Sequence, residues 1–207
     1  MIADQSVGSY LDRLASGDPT PGGGAAGAIH AAQGAALIAM VARFTTGAKY
    51  AGYADQVAEI EAAAAEQQSM ALQLADADEA AFQTVIGAYR LPRGTQEEKA
   101  LRSAAIQDAL MVAAGPPEEL VTAAAAVVAL GTRLVEFANP NVISDVAAAA
   151  EAARAAAATA RVNLEINLAG ITVDDRAARL RSAITEAEAV ITAAEALADR
   201  VREQLTR

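Results

Sequence analysis

The sequence predicts an all-α protein, a single domain of long, tightly packed, alanine-rich helices in an orthogonal or up-down bundle. Alanine, the best helix former, supplies more than a quarter of the 207 residues, and only 3% are aromatic although 54% are hydrophobic. Glycine and proline clusters divide the chain into helix-length segments, and no segment alternates as a strand does. No stretch resembles a linker between domains, so residues 1–207 are predicted to form one domain.

The first four helices follow from clear boundary signals. The segment 17–24 contains two prolines and ends in three consecutive glycines, which excludes helix there and separates the first helix from the second. Thr45 to Gly47 ends the second helix, and the third stops at Leu91 to Gly94. Thr95 to Glu98 has the capping-box pattern that starts the fourth. The first three predicted helices cover about 6–16, 25–44 and 55–89.

Three more helices complete the prediction. Gly115 to Pro117 breaks the chain, and a fifth helix continues to about residue 137. Asn139 followed by Pro140 is typical of an N-cap and first helical position, so a sixth helix is expected from there to about residue 168. Gly170 occupies the place of a C-terminal glycine, and the seventh helix is expected to begin at Asp174 or Asp175 and to run to the C-terminus.

Composition narrows the functional class. A net charge of -10 argues against binding nucleic acid, which requires a basic surface. The chain has no cysteine and one histidine, so we expect neither disulfides nor a metal site. The N-terminus lacks a basic and apolar signal-peptide pattern, and the apolar run 24–42 is interpreted as a buried helix because it is largely alanine and glycine. We therefore expect a cytoplasmic protein without membrane association.

The scarcity of large side chains also bears on assembly. A core of alanine requires close approach of helix backbones, because each alanine adds little volume. With only three phenylalanines and no tryptophan, the chain is expected to extend its core across a subunit interface. We therefore expect a homodimer.

The first candidate site is the segment from Pro21 through Gly22, Gly23 and Gly24, which leads into the second helix. Glycines at a helix start leave backbone N–H groups accessible near the positive end of the helix dipole, where an anion or a carbonyl oxygen can bind. The segment lacks the lysine and hydroxyl residue of a P-loop. A tight inter-helix turn is an equally good explanation.

The second candidate is Asp78. An advance of about 100° per residue places Asp78 in the middle of an apolar stripe formed by Leu74, Phe82, Val85, Ile86 and Tyr89, whereas Asp76 falls on the opposite side and is expected to be solvated. Burial raises a carboxyl pKa, and such an acid can transfer protons near neutral pH. A structural aspartate that caps a helix or pairs with an arginine is the alternative.

The third candidate is the sixth helix. Asn141, Ser144 and Asp145 crowd its first turns, and Asn163 and Asn167 lie one turn apart near its end. Asp145 and Asn163 share a face but are separated by about 27 Å along the axis. Either a long ligand spans both groups or each group joins a different site, for example across a dimer. Helix capping and inter-helix hydrogen bonding are the alternatives.

The loop after the second helix carries Lys49, Tyr50 and Tyr53. These residues could form a basic, aromatic lip for a flat acidic ligand, helped by Arg90 and Arg93. A solvated loop is the simpler interpretation.

Three segments together resemble the family that includes the C-terminal domain of formiminotransferase-cyclodeaminase and the bacterial methenyltetrahydrofolate cyclohydrolases. They read LASGDPTPGGGAAGAIHAAQGAALIAMV, ADADEAAFQTVIGAYRLPRGTQEEKA and NPNVISDVAAAAEAARAAAATARVNLEINL. The resemblance implies an all-α dimer with folate as substrate rather than cofactor. This chain differs from the family at Ala25, where the family often has serine, and before Tyr50, where the family is often lysine-rich.

The resemblance implies hydrolysis of 5,10-methenyltetrahydrofolate to 10-formyltetrahydrofolate, with cyclodeaminase activity as the first alternative. A helical dimer that binds folate or acts as a scaffold without catalysis is the second. Asp78 would act as base, with Asn141 orienting the pterin or the tetrahedral centre. The expected substrate-binding residues are Pro21, Gly22, Gly23, Gly24, Lys49, Tyr50, Ser144 and Asp145.

Overall fold

The computed structural model describes residues 1–206 and confirms the all-α prediction. That range contains seven α-helices and three short 3-10 helices. The α-helices are α1 (Val7–Leu14), α2 (Gly23–Phe44), α3 (Ala54–Tyr89), α4 (Gln96–Ala113), α5 (Gly115–Leu134), α6 (Ile143–Gly170) and α7 (Asp174–Leu205). The 3-10 helices are Ile2–Asp4, Ala48–Tyr53 and Pro140–Val142.

Helices α2, α5 and α6 pack against one another at the centre of the molecule. Helix α3 covers α2, and α7 covers α6, while α4 lies mainly against the outer helix α3. Buried alanines on these helices belong to one continuous hydrophobic core. The middle helices therefore fix the relative positions of the ends of α2, α3 and α6, where the candidate functional groups lie.

Glycines permit the close helix contacts that the alanine content predicts. A Cβ placed on Gly34 of α2 would lie 3.0 Å from the backbone oxygen of Ala149 on α6. One on Gly27 would lie 3.0 Å from the Thr159 side chain. Gly27 lies early in α2 and meets Thr159 late in α6, whereas Gly34 lies later in α2 and meets Ala149 early in α6. The two helices are therefore antiparallel.

Two helical stretches are long and apolar enough to cross a membrane by length and composition alone, Gly23–Phe44 and Gln96–Leu134. In the first, 61% of the most apolar window is buried inside the protein. This helix is α2, and its apolar surface packs against α3, α5 and α6. Its hydropathy is therefore accounted for by its place in the core, as the sequence predicted.

The capping box at Thr95 and Glu98 is present, with both reciprocal hydrogen bonds formed. Several helix ends differ from the predictions: α1 ends at Leu14 rather than near residue 16, and α5 ends at Leu134 rather than near residue 137. Helix α2 begins at Gly23, so Gly23 and Gly24 lie in its first turn, where backbone N–H groups have no intrahelical partner. Asn139 caps the 3-10 turn Pro140–Val142, and α6 itself begins only at Ile143.

Candidate active site

A cleft of about 370 Å³ opens where the N-terminus of α2 meets the C-terminal ends of α3, α4 and α6. Its wall is mainly apolar, and among residues 1–206 Asp78 is the one carboxylic acid that lines it. The lining residues are Pro19, Thr20, Gly22, Gly23, Gly24, Asp78, Ala81, Phe82, Val85, Tyr89, Leu110, Ala113, Asn163, Ile166, Asn167 and Gly170. The cleft thus brings together four residues that the sequence analysis selected: Gly22, Gly23, Gly24 and Asp78.

Asp78 lies directly over the first turn of α2. The backbone N–H of Ala25 lies close enough to this carboxylate to favour its ionised form. A Cβ on Gly24 would lie 2.0 Å from Asp78 Oδ1, so the carboxylate occupies the space that any larger residue would need. The N-cap residue of α2 is Gly22, which has no side chain that could cap the helix. Asp78 therefore lies against the N-terminus of α2 from a neighbouring helix, and Gly24 makes this approach possible.

The environment of Asp78 favours its protonated form. Burial raises the pKa of this carboxyl above its ordinary value, and the neighbouring charge of Glu79 raises it further. The Ala25 N–H opposes the shift by stabilising the carboxylate. A half-buried acid with a raised pKa in a cleft has the properties of a proton-transfer group.

A second polar cluster supports this part of α3 from α1. Arg13 Nη2 donates to Glu79 Oε2 at 2.9 Å. Burial and the charge of Glu79 raise the pKa of Tyr10. The Tyr10 hydroxyl and Glu79 Oε1 are both buried without a hydrogen-bond partner among the described residues. Helix α1 thus holds the residue next to Asp78 in place.

Helix α6 forms the opposite wall with Asn163 and Asn167. Asn167 Nδ2 donates to the Ala113 carbonyl at 3.3 Å, so the inter-helix role considered for it is present. At the end of α6, Gln107 of α4 donates to the Gly170 carbonyl at 2.7 Å and accepts from the Thr172 N–H. These contacts fix the last turns of α6 beside the cleft.

Aromatic residues of α3 form the rim of the cleft. Phe82 and Tyr89 are 46% and 52% exposed, so the stripe that contains Asp78 is only partly a core face. The Arg102 guanidinium lies 5.4 Å from the Tyr89 ring centroid, and its Nε and Nη2 donate to the Tyr89 carbonyl. Arg102 thereby fixes Tyr89 at the mouth.

The expectation that Asp76 is solvated was wrong. Its Oδ1 accepts a 2.8 Å hydrogen bond from the backbone N–H of Ile2, in a half-buried position. This contact anchors the N-terminal 3-10 helix to α3. Asp76 is thus a structural acid, which periodicity could not show because the opposite side of α3 is covered by the N-terminus.

The remaining candidates lie outside this cleft. Pro21 is buried behind it. Lys49 lies 5.3 Å from the Tyr50 ring centroid, on the 3-10 helix that follows the far end of α2, roughly 30 Å away along that helix. Asn141, Ser144 and Asp145 lie at the same far end, where Asn139 Nδ2 donates to the Phe44 carbonyl. Within one chain the two groups do not meet.

Two cleft residues, Asn163 and Asn167, are not among the catalytic or substrate-binding residues that the sequence predicts. Their spacing of four residues indicated a shared face on α6. The helical pattern alone could not show that this face lies opposite Asp78, because that depends on how α6 packs against α2 and α3. Leu110 and Ala113 of α4 had no sequence signal at all.

Fold and cleft together define a class: an all-α protein with one acid held against a helix N-terminus in a largely apolar pocket. The sequence matches the Formiminotransferase-cyclodeaminase family over residues 6–186. It is 39% identical to a methenyltetrahydrofolate cyclohydrolase of Methylorubrum extorquens, over 98% of this chain and 97% of that protein. The chain therefore belongs to the formiminotransferase-cyclodeaminase family.

Two further similarities concern the cyclodeaminase branch. The chain is 32% identical to a formimidoyltransferase-cyclodeaminase of Rattus norvegicus, over 84% of this chain but 32% of that longer protein. The crystal structure of a formiminotetrahydrofolate cyclodeaminase from Thermotoga maritima superposes with a TM-score of 0.88, at 28% identity and over the full length of both chains. The fold of this chain is therefore also that of a cyclodeaminase.

Proposed function

We propose that this chain is a methenyltetrahydrofolate cyclohydrolase, which converts 5,10-methenyltetrahydrofolate and water to 10-formyltetrahydrofolate. The position of Asp78 carries the proposal: an acid of raised pKa faces a cleft at the start of α2. The similarity to the Methylorubrum cyclohydrolase over almost the whole of both chains supports the choice of reaction. We also propose a cytoplasmic location, because a chain without cysteine fits a reducing compartment.

The charge of the cleft suits the reacting group. The methenyl bridge is an amidinium carbon that carries positive charge. Of residues 1–206, no lysine or arginine lines the cleft, whereas Asp78 does. An ionised Asp78 therefore attracts the cationic carbon, and the apolar wall formed by Ala81, Val85 and Leu110 suits the flat ring system.

The reaction needs a base and then an acid, and Asp78 can supply both. Asp78 takes a proton from water as the oxygen bonds to the amidinium carbon. It then gives this proton to N5 as the carbon–N5 bond breaks. The hydroxyl of the adduct loses its own proton to become the formyl carbonyl, so that the overall reaction releases one proton. A carboxyl with a raised pKa is suited to both transfers near neutral pH.

We also propose a homodimer, because it would explain how the predicted binding residues near the C-terminal end of α2 could reach a cleft. Lys49, Tyr50, Asn141, Ser144 and Asp145 would contact a folate only if a second protomer brought them to the cleft or if the ligand were long. A row of exposed small residues along α3 supports close association of two copies, since helices with small side chains can approach closely. The row consists of Ala58, Ala62, Ala65, Ser69, Ala77 and Ala80.

Light scattering tests the dimer directly. We expect a mass of twice the 21.0 kDa chain at micromolar concentration. Replacement of Ala65 by arginine should shift the protein towards monomer, because two bulky charged side chains would meet in a closely packed interface. The matched change Ala196→Arg, on the exposed side of α7, should leave the mass unchanged. A stable wild-type monomer contradicts the homodimer.

An absorbance assay tests the proposed reaction. Incubation with 5,10-methenyltetrahydrofolate should produce a decrease in its near-ultraviolet absorbance faster than in buffer alone. A protein that binds folate but leaves the absorbance unchanged, and is also silent with the formimino substrate, would instead be a non-catalytic binding protein.

Cyclodeamination is the second candidate, and the full-length structural match to the Thermotoga cyclodeaminase favours it. In this reaction N10 attacks the formimino carbon, ammonia leaves, and the methenyl bridge forms. The same assay separates the two functions, because 5-formiminotetrahydrofolate should then give an increase in absorbance. A higher kcat/KM with the formimino substrate than with the methenyl substrate would assign the chain to this branch.

Arg102 allows a test of the cleft mouth. We expect Arg102→Ala to raise KM about two- to fivefold while kcat changes little, because an exposed cation–π contact is worth about 0.5–1 kcal/mol. Tyr89 lies about three turns of α3, or roughly 16 Å, beyond Asp78. Steady-state kinetics with the methenyl substrate measures the effect. The matched control is Arg181→Ala, which removes an exposed arginine of α7. An equal rise in KM in the control argues against a role for the Arg102–Tyr89 contact.

A further inference from the structure

Asn163 faces Asp78 from the other side of the cleft. It is the one residue of α6 that lines both the main cleft and the smaller cavity behind it, and Asp78 and Gly24 line both as well. Asn163 is therefore at the same depth as the acid, next to the first turn of α2. Ile166 and Gly170 line only the main cleft.

The side chain of Asn163 is free to bind a ligand. Among residues 1–206 its carboxamide makes no hydrogen bond within the protein, whereas Asn167, one turn later, donates to the Ala113 carbonyl. Asn163 is only half-buried, so its amide is in contact with the open cleft. A carboxamide offers two N–H donors and no titratable proton, and so it can bind an oxygen atom without competing with Asp78 for the proton.

We propose that Asn163 is a catalytic residue of the hydrolase: its carboxamide N–H donates to the oxygen that adds to the amidinium carbon. The inference rests on the proposed function. Asp78 removes the proton of the attacking water from one side, and Asn163 binds the oxygen from the other. The hydrogen bond strengthens as the adduct hydroxyl loses its proton and the oxygen gains charge on the way to the formyl carbonyl. This is the role that the sequence analysis expected of Asn141.

Kinetics of Asn163→Ala test this role. Loss of one donor to a developing oxyanion lowers turnover by about 10²–10³-fold, so we expect kcat to fall by that factor. The dissociation constant of 5-formyltetrahydrofolate, an unreactive analogue, should change less than threefold. Val162→Ala is the matched control: it is the neighbouring α6 residue, lies outside the cleft and should keep normal kcat.

Each other result overturns the inference. A weaker binding of 5-formyltetrahydrofolate with unchanged kcat would mean that Asn163 only holds the pterin, and normal values of both would mean that it does nothing. If the alanine variant unfolds, Asn163→Gln decides, since glutamine keeps the donor: a folded glutamine variant with at least a tenth of the wild-type kcat supports catalysis, and a folded one with less overturns it. Wild-type protein inactive on the methenyl substrate would instead defeat the proposed function itself.

Discussion

Asp78→Asn should lower kcat for methenyltetrahydrofolate hydrolysis by about 10²–10⁴-fold, the usual contribution of a positioned general base. Asparagine has the same shape as aspartate, so it fills the same space beside Gly24 at the start of α2. It cannot take a proton from water. The expected loss therefore lies in turnover, and binding of 5-formyltetrahydrofolate should be largely retained.

Asp76→Asn is the matched control for this experiment. Asp76 lies two residues away on the same helix but contacts the Ile2 N–H instead of the cleft. We expect normal turnover in this variant. Near-normal turnover in Asp78→Asn, or an equal loss in both variants, would remove Asp78 from the mechanism.

The raised pKa of Asp78 also predicts how the same variant changes stability. The folded protein binds the Asp78 proton more tightly than the unfolded chain does, so ionisation of this group destabilises the fold at pH values above the raised pKa. Asp78→Asn should therefore unfold at a temperature equal to or above that of wild type at neutral pH. This advantage should shrink as the pH falls from the raised pKa through the ordinary value of 3.8, because the carboxyl is protonated in both states only below it.

The sequence predicted the elements of the fold better than their contacts. Glycine, proline and capping residues are local signals, so the sequence correctly predicted the helix break at Gly115 and the start of α4 after its N-cap Thr95. Periodicity placed Asp78 on the face of α3 that forms the cleft. It could not identify Asn163 as the residue opposite, because which faces of α3 and α6 meet depends on the packing of both against α2.

Gly24, the last residue of the glycine segment, shows the same limit of prediction from local sequence. Its three glycines suggested accessible N–H groups, which fits an anion site. In the structure this end of α2 already faces an acid of the protein itself, because the Asp78 carboxylate lies against Gly24 and the Ala25 N–H favours its ionised form. Gly24 is distinguished from Gly22 and Gly23 only by the neighbour it would strike, and no local pattern contains that information.

Gly24→Ala should therefore lower turnover by about 10²-fold or more, since a displacement of a catalytic group by about 1 Å can have an effect of that size. The new methyl group would lie 2.0 Å from Asp78 Oδ1 and must displace the carboxylate from the N-terminus of α2. Gly23→Ala should have a smaller effect, because a Cβ there meets nothing within 4 Å. Steady-state kinetics and thermal unfolding of both variants measure the difference.

The double variant Gly24→Ala, Asp78→Asn tests whether Gly24 acts through Asp78. If the glycine matters only because it leaves room for the carboxylate, its replacement can remove nothing that Asp78→Asn has not already removed. The two losses in turnover should then be far from additive, as expected for residues in direct contact. A double variant that loses the product of the two single factors would show that Gly24 has an independent role, for example direct contact with the substrate.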